Sequence, residues 1–560
     1  MIKMAEFKRE LNRAIRKSIK ELYDLDTDPV VKHPAQESHG DYSTNAAMVL
    51  AKELKKSPLE VAQEISETVS NYQLPAVRSV EPAKPGFINF WLTEKALAAE
   101  VDEANRSQER YGSSAAGSGK TVVIDYSAPN IAKRFGIGHL RSTVIGQALY
   151  NLYEFSGYKA IGDNHLGDWG TQFGALLRQI KRSRLKVQNM TVDDLEKLYV
   201  EFHQKAEEKP QLVEEAREWF LKLENGDGEA RRIWQTVVDL SRKEFDRIYR
   251  ILGVEFDYSY GESFYEDKTP AMIEEVRERG LSKSSEGAEI VEFSNLPPAI
   301  LVKSDGATTY FTRDLAAVKY RVQDWDPHAI VYEVGADQNL HFQQVFEAAK
   351  KLGWADGRKM VHVAHGLIRF ERGKMSTRRG QAVKLEEVLN EAVKRAEDLT
   401  SQKGAVAEAV GIGAVKYFDL SHQPQTDIVF DWEKMFLLEG NSSPYLQYTY
   451  ARALSVLRKA GDGKPPSAGQ EPTVGEEELP LLRSIYQFPE AVEDALQSHS
   501  PNLLGNYLFE LAQRFNRFYA AAPIIKAEEN RELRLALTGA AAQVLKNGLT
   551  LLGIEAPERL

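Results

Sequence analysis

The sequence predicts an α/β protein: a doubly wound parallel sheet in mid-chain, an α+β domain before it and an all-α domain after it. Three observations predict this. Thr121–Tyr126 (TVVIDY) is a continuous apolar strand that leads into a turn holding Pro129, Gly136 and Gly138. Leu140, Val144, Ala148, Leu149, Leu152 and Phe155 then recur at helical spacing up to Gly157. Further on, strand candidates His328–Gly335 and Met360–Gly366 bracket a helical segment, LHFQQVFEAAKKLG, which is the strand–helix–strand alternation of a parallel sheet. After about residue 395 strand signals stop and helical periodicity continues to the end.

Taken in order, residues 1–111 open with a helix whose buried stripe is Met4, Phe7, Leu11, Ala14 and Ile15. Its other face carries Lys3, Lys8, Arg9, Arg13, Arg16, Lys17 and Lys20 against Glu6 and Glu10, so it is either a solvated face or an RNA-facing one. A helix at Pro58–Glu67 and a strand at Gly86–Leu92 follow. Residues 112–119 (GSSAAGSG) read as a small-residue linker. The sheet domain spans 120–395, with charged helical sequence at about 180–255 inserted between its halves, and 396–560 is the all-helical domain. No internal repeat stands out.

Composition narrows the function. No cysteine occurs, which excludes disulfides and thiolate zinc sites. A net charge of -10 argues against indiscriminate coating of nucleic acid, yet local basic surfaces still admit RNA. The first residues, MIKMAEFKRE, lack the apolar core of a secretory signal, and no run is long enough to cross a bilayer, so the expectation is a cytoplasmic protein without a membrane partner.

Two segments carry chemistry. The turn after Tyr126 delivers a helix start with Gly136 and Gly138, where free N–H groups and the helix dipole favour an anion and His139 can donate to phosphate. Downstream, Gly373–Gly380 (GKMSTRRG) brackets Lys374, Arg378 and Arg379 with glycines, a loop able to close over a triphosphate. Either alone is an ordinary turn; the pair is informative.

With these motifs the chain resembles the class I aminoacyl-tRNA synthetases. Gly136-Ile137-Gly138-His139 is similar to their His-x-Gly-His signature and Lys374-Met375-Ser376-Thr377 to their Lys-Met-Ser-Lys loop. Within the class it resembles the arginyl-tRNA synthetases through SAPNIAK (Ser127–Lys133), GHLRST (Gly138–Thr143) and NHLGDWGTQFG (Asn164–Gly174), supported by GDYSTNAAM (Gly40–Met48) and QYTYAR (Gln447–Arg452). There are two departures: Gly136 replaces the first histidine, and the last lysine of the loop motif becomes Arg378, displaced by one.

The resemblance implies a Rossmann-like catalytic domain that forms arginyl-adenylate from ATP and L-arginine, then loads a cognate tRNA. It implies ATP with Mg²⁺ as the substrate complex, no structural metal and a monomer. No protein nucleophile is needed, so charge and donors do the catalysis: His139, Lys133, Lys374 and Arg378. ATP is expected at Gly136, Gly138, His139, His341, Gly366, Ile368, Lys374, Met375 and Ser376. Arginine is expected at Asp125, Ser127, Asn130, His139, Tyr310, Asp314 and Gln338. Asp314 is the natural guanidinium partner, four residues from Tyr310 and on the same face if helical; the rival is a salt bridge to Arg313 or a helix cap. For tRNA, the implied contacts are Phe87 and Asn89 in the N-terminal domain, Asn164 and Trp169 after the second strand, and Tyr445, Tyr448 and Tyr450, whose rings can stack on bases. For Trp169 simple packing is an equal alternative, and for the tyrosines the lesser alternative is a helix core rich in tyrosine. Two other functions fit the motifs less well. A small-substrate nucleotidyltransferase needs neither flanking domain, and a non-catalytic tRNA-binding paralogue is favoured by Gly136 alone.

Overall fold

The computed structural model describes residues 4–183, 186–370, 383–461, 464–469 and 472–560. At its centre four parallel strands, β5 (Thr121–Asp125), β6 (Lys159–Asp163), β10 (Ala329–Gly335) and β11 (Lys359–His365), lie in the order β11-β10-β5-β6. Alternating residues feed both faces. Val122, Ile124 and Val331 join one core with the Gly138–Phe155 helix, while Val123, Ile161 and Ile330 join a second core with the Tyr310–Trp325 and Asn339–Lys351 helices. Helices therefore cover the sheet on both sides, as the near-continuous apolar strands require.

The N-terminal strands β1 (Val31–Lys32), β2 (Tyr42–Thr44), β3 (Val77–Ala83) and β4 (Phe87–Leu92) pair antiparallel in the order β1-β2-β4-β3. The Pro58–Ser70 helix beside them starts on a Ser57 cap, whose hydroxyl accepts from Glu60 N–H, with proline at the first helical position. Residues 112–119 are not a loose tether. A Cβ on Gly112 would sit 2.4 Å from the Phe488 ring, and one on Gly117 would sit 2.2 Å from the Tyr158 ring. Close approach of aromatic rings accounts for Gly112 and Gly117.

Four helices, Gln172–Ser183, Val192–Glu208, Gln211–Glu224 and Gly228–Leu252, fill the insertion region. The short strands β7 (Ser282–Ser285), β8 (Ala288–Val291) and β9 (Ala299–Val302) form an antiparallel sheet whose Val291, Ala299 and Leu301 join the second core with the Tyr310–Trp325 helix. After the central sheet, β12 (Ile368–Arg369) pairs in parallel with β13 (Ile428–Val429), an exception to the all-helical tail that is too short to show alternation in sequence. The remainder is helical, from Leu385–Thr400 and Ala405–Leu420 to Ser443–Ala460, Leu479–Gln497, Pro501–Ala521 and Arg531–Leu551.

The first helix docks onto this tail. Lys8 lies 2.8 Å and His33 3.2 Å from Glu490, and the Tyr42 hydroxyl donates to the same carboxylate at 2.6 Å. Arg9 pairs with Glu493, and Arg483 with Asp41 at 2.9 Å. The basic face is thus partly an interdomain contact. Burial alone would raise the Glu490 carboxyl, but the His33 hydrogen bond and the charges of His33 and Lys8 hold it down to about 2. Its ordinary value is 4.5, so the stabilisation is complete above about pH 4.5 and fades as pH falls towards 2. Glu490→Gln is expected to lower stability at pH 7 by about 3 kcal/mol. In urea unfolding followed from pH 7 down to pH 3, the gap to wild type narrows as Glu490 of the unfolded chain protonates; a gap that widens in acid contradicts this account.

Candidate functional site

β5 has β6 on one side and β10 on the other, so the winding reverses between β5 and β10. Ligands of open α/β sheets bind in the crevice beyond the carboxyl ends at such a point. The chain enters it through a strained turn: Ser127 (φ 71), Ala128 (φ 47) and Ala132 (φ 62) are left-handed without being glycine. Hydrogen bonds fix each of them. Ser127 N–H donates to Ser142 Oγ (2.9 Å), Ala128 N–H to Asn164 Oδ1 (3.1 Å) and Ala132 N–H to Ser241 Oγ (3.0 Å). The Ser127 hydroxyl lies 2.8 Å from both Thr143 Oγ1 and Tyr249 OH, and the Asn164 amide donates to Tyr249 OH at 3.0 Å. Ser127 and Asn164, expected on arginine and tRNA, are instead buried members of this network.

The Gly138–Phe155 helix begins as the sequence suggests. His139 Nδ1 accepts from Gly136 N–H at 3.2 Å, so the neutral ring carries its proton on Nε2. Burial lowers the imidazole's pKa, and the Lys133 and His365 charges add to the effect, which keeps it a neutral donor at pH 7. A Cβ on Gly138 would meet nothing within 4 Å, so this corner is open. Lys133 is exposed, with its ammonium 5.8 Å from the Tyr199 ring.

Lys374, Met375, Ser376 and Arg378 lie outside the described residues, but the flanks of their segment are placed. Ile137 N–H donates to Val383 O and Leu385 N–H to Phe135 O, both at 3.0 Å, which seats the downstream flank against the His139 turn. The upstream flank is β12, where Leu367 N–H donates to Asp427 Oδ1 at 2.8 Å. Gly366 is explained by packing rather than by adenine: its N–H donates to Pro424 O, and a Cβ would lie 2.7 Å from the Thr426 backbone. Ile368 sits in β12 opposite Ile428.

Acidic groups gather on the other wall. The Tyr310–Trp325 helix presents Tyr310, 60% exposed, with Asp314 one turn on. Asp314 lies 2.5 Å from His341 Nε2 and 3.6 Å from His165 Nε2. It neither caps the helix nor pairs with Arg313, whose Nε is 3.0 Å from Glu262 and whose guanidinium covers the Tyr310 ring at 4.8 Å. Burial pushes the Asp314 carboxyl up, but the His341 hydrogen bond, with the charges of His341, His165 and Arg321, brings it below its usual value. His341, expected beside adenosine, is therefore the partner of Asp314.

Glu262 escaped the sequence reading. Burial raises it to about 7 despite Arg313 and His165, and it feels the charge of Asp314. Its one sequence signal is the preceding Gly261, where a Cβ would sit 2.4 Å from the Asp168 carboxylate. Asp168 accepts from Ser263 N–H (2.8 Å) and Ser263 Oγ (2.6 Å), fixing the turn that carries Glu262.

Asp125, expected on arginine, meets an internal cation: Arg321, with no exposed surface, places its guanidinium 2.6 Å from Asp125 and 2.7 Å from Asp163. Asn130 and Gln338 are exposed after β5 and β10, and no side-chain hydrogen bond of theirs is seen among the described residues. Trp169 is buried edge-on against Trp234 (5.6 Å) and Phe220 (5.8 Å) under the Arg231 guanidinium, which gives the packing reading. No group of three or more His, Asp or Glu side chains among the described residues is arranged to hold a metal ion.

Away from the crevice, Phe87 is exposed and Asn89 buried, its Oδ1 accepting from Ser43 at 2.8 Å. Both line a cleft of about 540 Å³ with Lys32, His33, His39 and Lys84. In the tail, Tyr448 is 42% exposed whereas Tyr450 is 4% exposed, a correction with a simple cause: residues two apart on a helix point to opposite sides. Tyr445 is half-buried against Phe509. The Arg452 guanidinium lies between the Tyr448 and Tyr519 rings, 4.7 and 5.1 Å from their centres. They line a cleft of about 720 Å³ with Arg458, Lys459, Lys526 and Arg559.

Comparison with known proteins agrees along the whole chain. Residues 9–92 match the arginyl tRNA synthetase N terminal domain, 100–432 the catalytic domain of tRNA synthetases class I (R), and 446–560 the DALR anticodon binding domain. The arginine–tRNA ligase of Clostridioides difficile is 40% identical over 571 residues, covering 100% of both chains. That of Chloroflexus aggregans is 43% identical, covering 91% of this chain and 92% of its own. Among solved structures, arginyl-tRNA synthetase from Plasmodium falciparum superposes with a TM-score of 0.86 at 26% identity over 100% of both chains. The Thermus thermophilus enzyme, at 24% identity, shares the fold with a TM-score of 0.82 over 99% of this chain and 100% of its own. A catalytic-domain match over more than half the sequence, joined to relatives of 40% identity along its full length, means that the chain belongs to the arginyl-tRNA synthetases.

Proposed function

We propose that the crevice at the β5–β10 switch point is where this arginine–tRNA ligase activates its amino acid. The arginine carboxylate attacks the α-phosphate of ATP, pyrophosphate leaves, and arginyl-adenylate forms. A ribose hydroxyl of the terminal adenosine of tRNA then takes the arginyl group and releases AMP. The observation that carries this reading is Asp314, held anionic at the crevice wall by two histidines with a second carboxylate, Glu262, beside it. A guanidinium is permanently charged and forked, and two carboxylates at one wall suit it better than they suit a point-charged ammonium.

In this reading Tyr310 covers the side chain of arginine, and Asn130 and Gln338 take its polar end. The His139 Nε2–H and Lys133 face the phosphates, joined by Lys374 and Arg378 from the segment whose flanks are seated there. The adenine occupies the open corner at Gly138, with Gly136, Met375 and Ser376 nearby. Glycine at 136 leaves His139 oriented, because the bond that orients it comes from the main-chain N–H. Magnesium is read as arriving with the triphosphate, as part of the substrate. The Phe87 cleft is read as holding the outer corner of tRNA, and the Tyr448–Arg452 cleft as stacking unpaired bases. We also read the chain as a cytoplasmic monomer. What supports the location is the pairing of ATP and tRNA as substrates; no helix among the described residues is long and apolar enough to cross a membrane.

The decisive experiment is ATP–pyrophosphate exchange with and without tRNA, and with lysine in place of arginine. Arginine-dependent exchange is expected, with none for lysine; lysine supporting exchange as well as arginine would sink the guanidinium pocket. Asp314→Asn is expected to raise the KM for arginine about 100-fold while leaving the KM for ATP near wild type. Lys133→Ala is expected to slow activation by about 10²-fold, the scale of one lost transition-state donor; a rate within a few-fold of wild type removes Lys133 from the phosphate site.

A further inference from the structure

Three cations border the turn that leads to His139, and their surroundings differ. Arg134 pairs with Asp193 at 2.9 Å and with Glu196 at 2.5 Å. Lys384 donates to the other oxygen of Asp193 at 2.9 Å. Lys133 is exposed and has no carboxylate partner among the described residues; its ammonium lies 5.8 Å from the centre of the Tyr199 ring. Farther out, Arg247 is held like the first two, by Glu244 at 2.7 Å and Glu386 at 2.9 Å.

Asp193, Glu196 and Tyr199 all belong to the Val192–Glu208 helix of the insertion. Spaced three residues apart, they are successive neighbours along its surface. Thr191 and Asp194 close a capping box at its start, which fixes where the first turn points. Asp193 stands in that turn, where the helix dipole favours a carboxylate. Burial would raise its carboxyl, but the Lys384 hydrogen bond, with the charges of Arg134, Lys384 and Lys197, holds it below its usual value, so it is charged at neutral pH.

The two cations it holds sit close to the phosphate wall. Arg134 is the chain neighbour of Lys133. Lys384 faces Gly136 across a short antiparallel bridge, and the Gly136 N–H is the group that orients His139. Coulomb attraction does not choose among cations at similar range, so either side chain, if released, competes with Lys133 for a triphosphate.

We infer that this helix sorts the cations of the phosphate wall: Asp193 and Glu196 retain Arg134 and Lys384, while the Tyr199 ring leaves Lys133 charged and free to meet the triphosphate. Asp193 and Tyr199 are positioning residues, since each acts through a cation, and the inference rests on the ligase reading of the crevice. A ring suits the third place because its hold on an exposed ammonium is weak enough to yield to a phosphate, whereas a carboxylate would keep it.

The test is arginine-dependent ATP–pyrophosphate exchange on the full chain with tRNA present. Asp193→Asn frees Lys384 and leaves Arg134 to Glu196 alone. It is expected to lower kcat about 10-fold and to lower the KM for ATP as well, because a surplus cation holds the triphosphate out of line. Adding Lys384→Met removes that cation and is expected to bring kcat back to within about three-fold of wild type. A purely structural role for Asp193 predicts the opposite, a double variant no better than the single one. Tyr199→Leu is expected to lower kcat about three-fold, Tyr199→Phe to restore it, and Tyr199→Leu to add nothing once Lys133→Ala is present. These variants carry the test if Asp193→Asn does not fold. A full rate in soluble Asp193→Asn, a double variant without recovery, or additive losses at Lys133 and Tyr199 overturns the inference. A full rate in Lys133→Ala also overturns it but leaves the ligase reading standing. Wild-type protein with no arginine-dependent exchange overturns the ligase reading, and the sorting with it.

Discussion

The crevice depends on one buried cation. Arg321 holds the carboxylates that end β5 and β6, Asp125 and Asp163, and its guanidinium lies 5.3 Å from the Tyr332 ring of β10. One side chain thereby ties the carboxyl ends of three adjacent strands to the Tyr310–Trp325 helix. Asp314 lies seven residues before Arg321, two helical turns and so on the same face. The helix that anchors itself with Arg321 must present Asp314 to the crevice. Removing three charges from water is expensive, and an apolar core would serve stability as well. The polar anchor adds orientation: it fixes which face of the helix, and which carboxylate, faces the crevice.

The strained turn after β5 rests on the insertion. Ser241 and Tyr249 of the Gly228–Leu252 helix satisfy Ala132, Ser127 and Asn164, so a segment that reads in sequence as a charged helical interruption builds part of the floor of the site. Left-handed alanines and serine persist only where surroundings over-determine them. Here the surroundings come from four separate stretches: the turn itself, the Gly138–Phe155 helix, the segment after β6, and the insertion.

Local pattern made much of this legible. The parallel strands follow from continuous apolar runs, the helix at Gly138 and the Tyr310–Asp314 spacing from the 3.6-residue period, and the structure keeps them. What stayed hidden depends on partners distant in sequence. Nothing near Asp125 announces that Arg321, 196 residues on, will occupy it. His341 reads as a free imidazole until the packing of its helix brings it to Asp314. Glu262 looks like one acid among many, because its meaning comes from burial beside Arg313 and from Asp168, which buttresses the adjoining Ser263 from 95 residues away. The tyrosines of the tail show the same limit within one helix: adjacency in sequence suggested a cluster, whereas helical geometry sends Tyr448 outward and Tyr450 into the core.

The crevice is electrically polar, and its polarity matches the chemistry. On the wall built from the Tyr310–Trp325 helix stand Asp314 and Glu262. On the wall built from the β5 turn stand His139 and Lys133, close enough for the lysine to depress the imidazole's pKa. Arginine is a rod with a cation at one end and a carboxylate at the other. An acidic wall that takes the guanidinium leaves the carboxylate pointing towards the basic wall, where a phosphate would be held. The alignment that adenylate formation requires is then set by electrostatics before any reacting atoms touch, which is how a site without a protein nucleophile can still gain most of its rate from positioning. Lysine is also a rod with a cation at one end, so polarity orders it too; in the proposed pocket it is the forked contact at the acidic wall that separates the two amino acids. Orientation and selectivity thus come from different features of the same wall, charge for the first and planar geometry for the second.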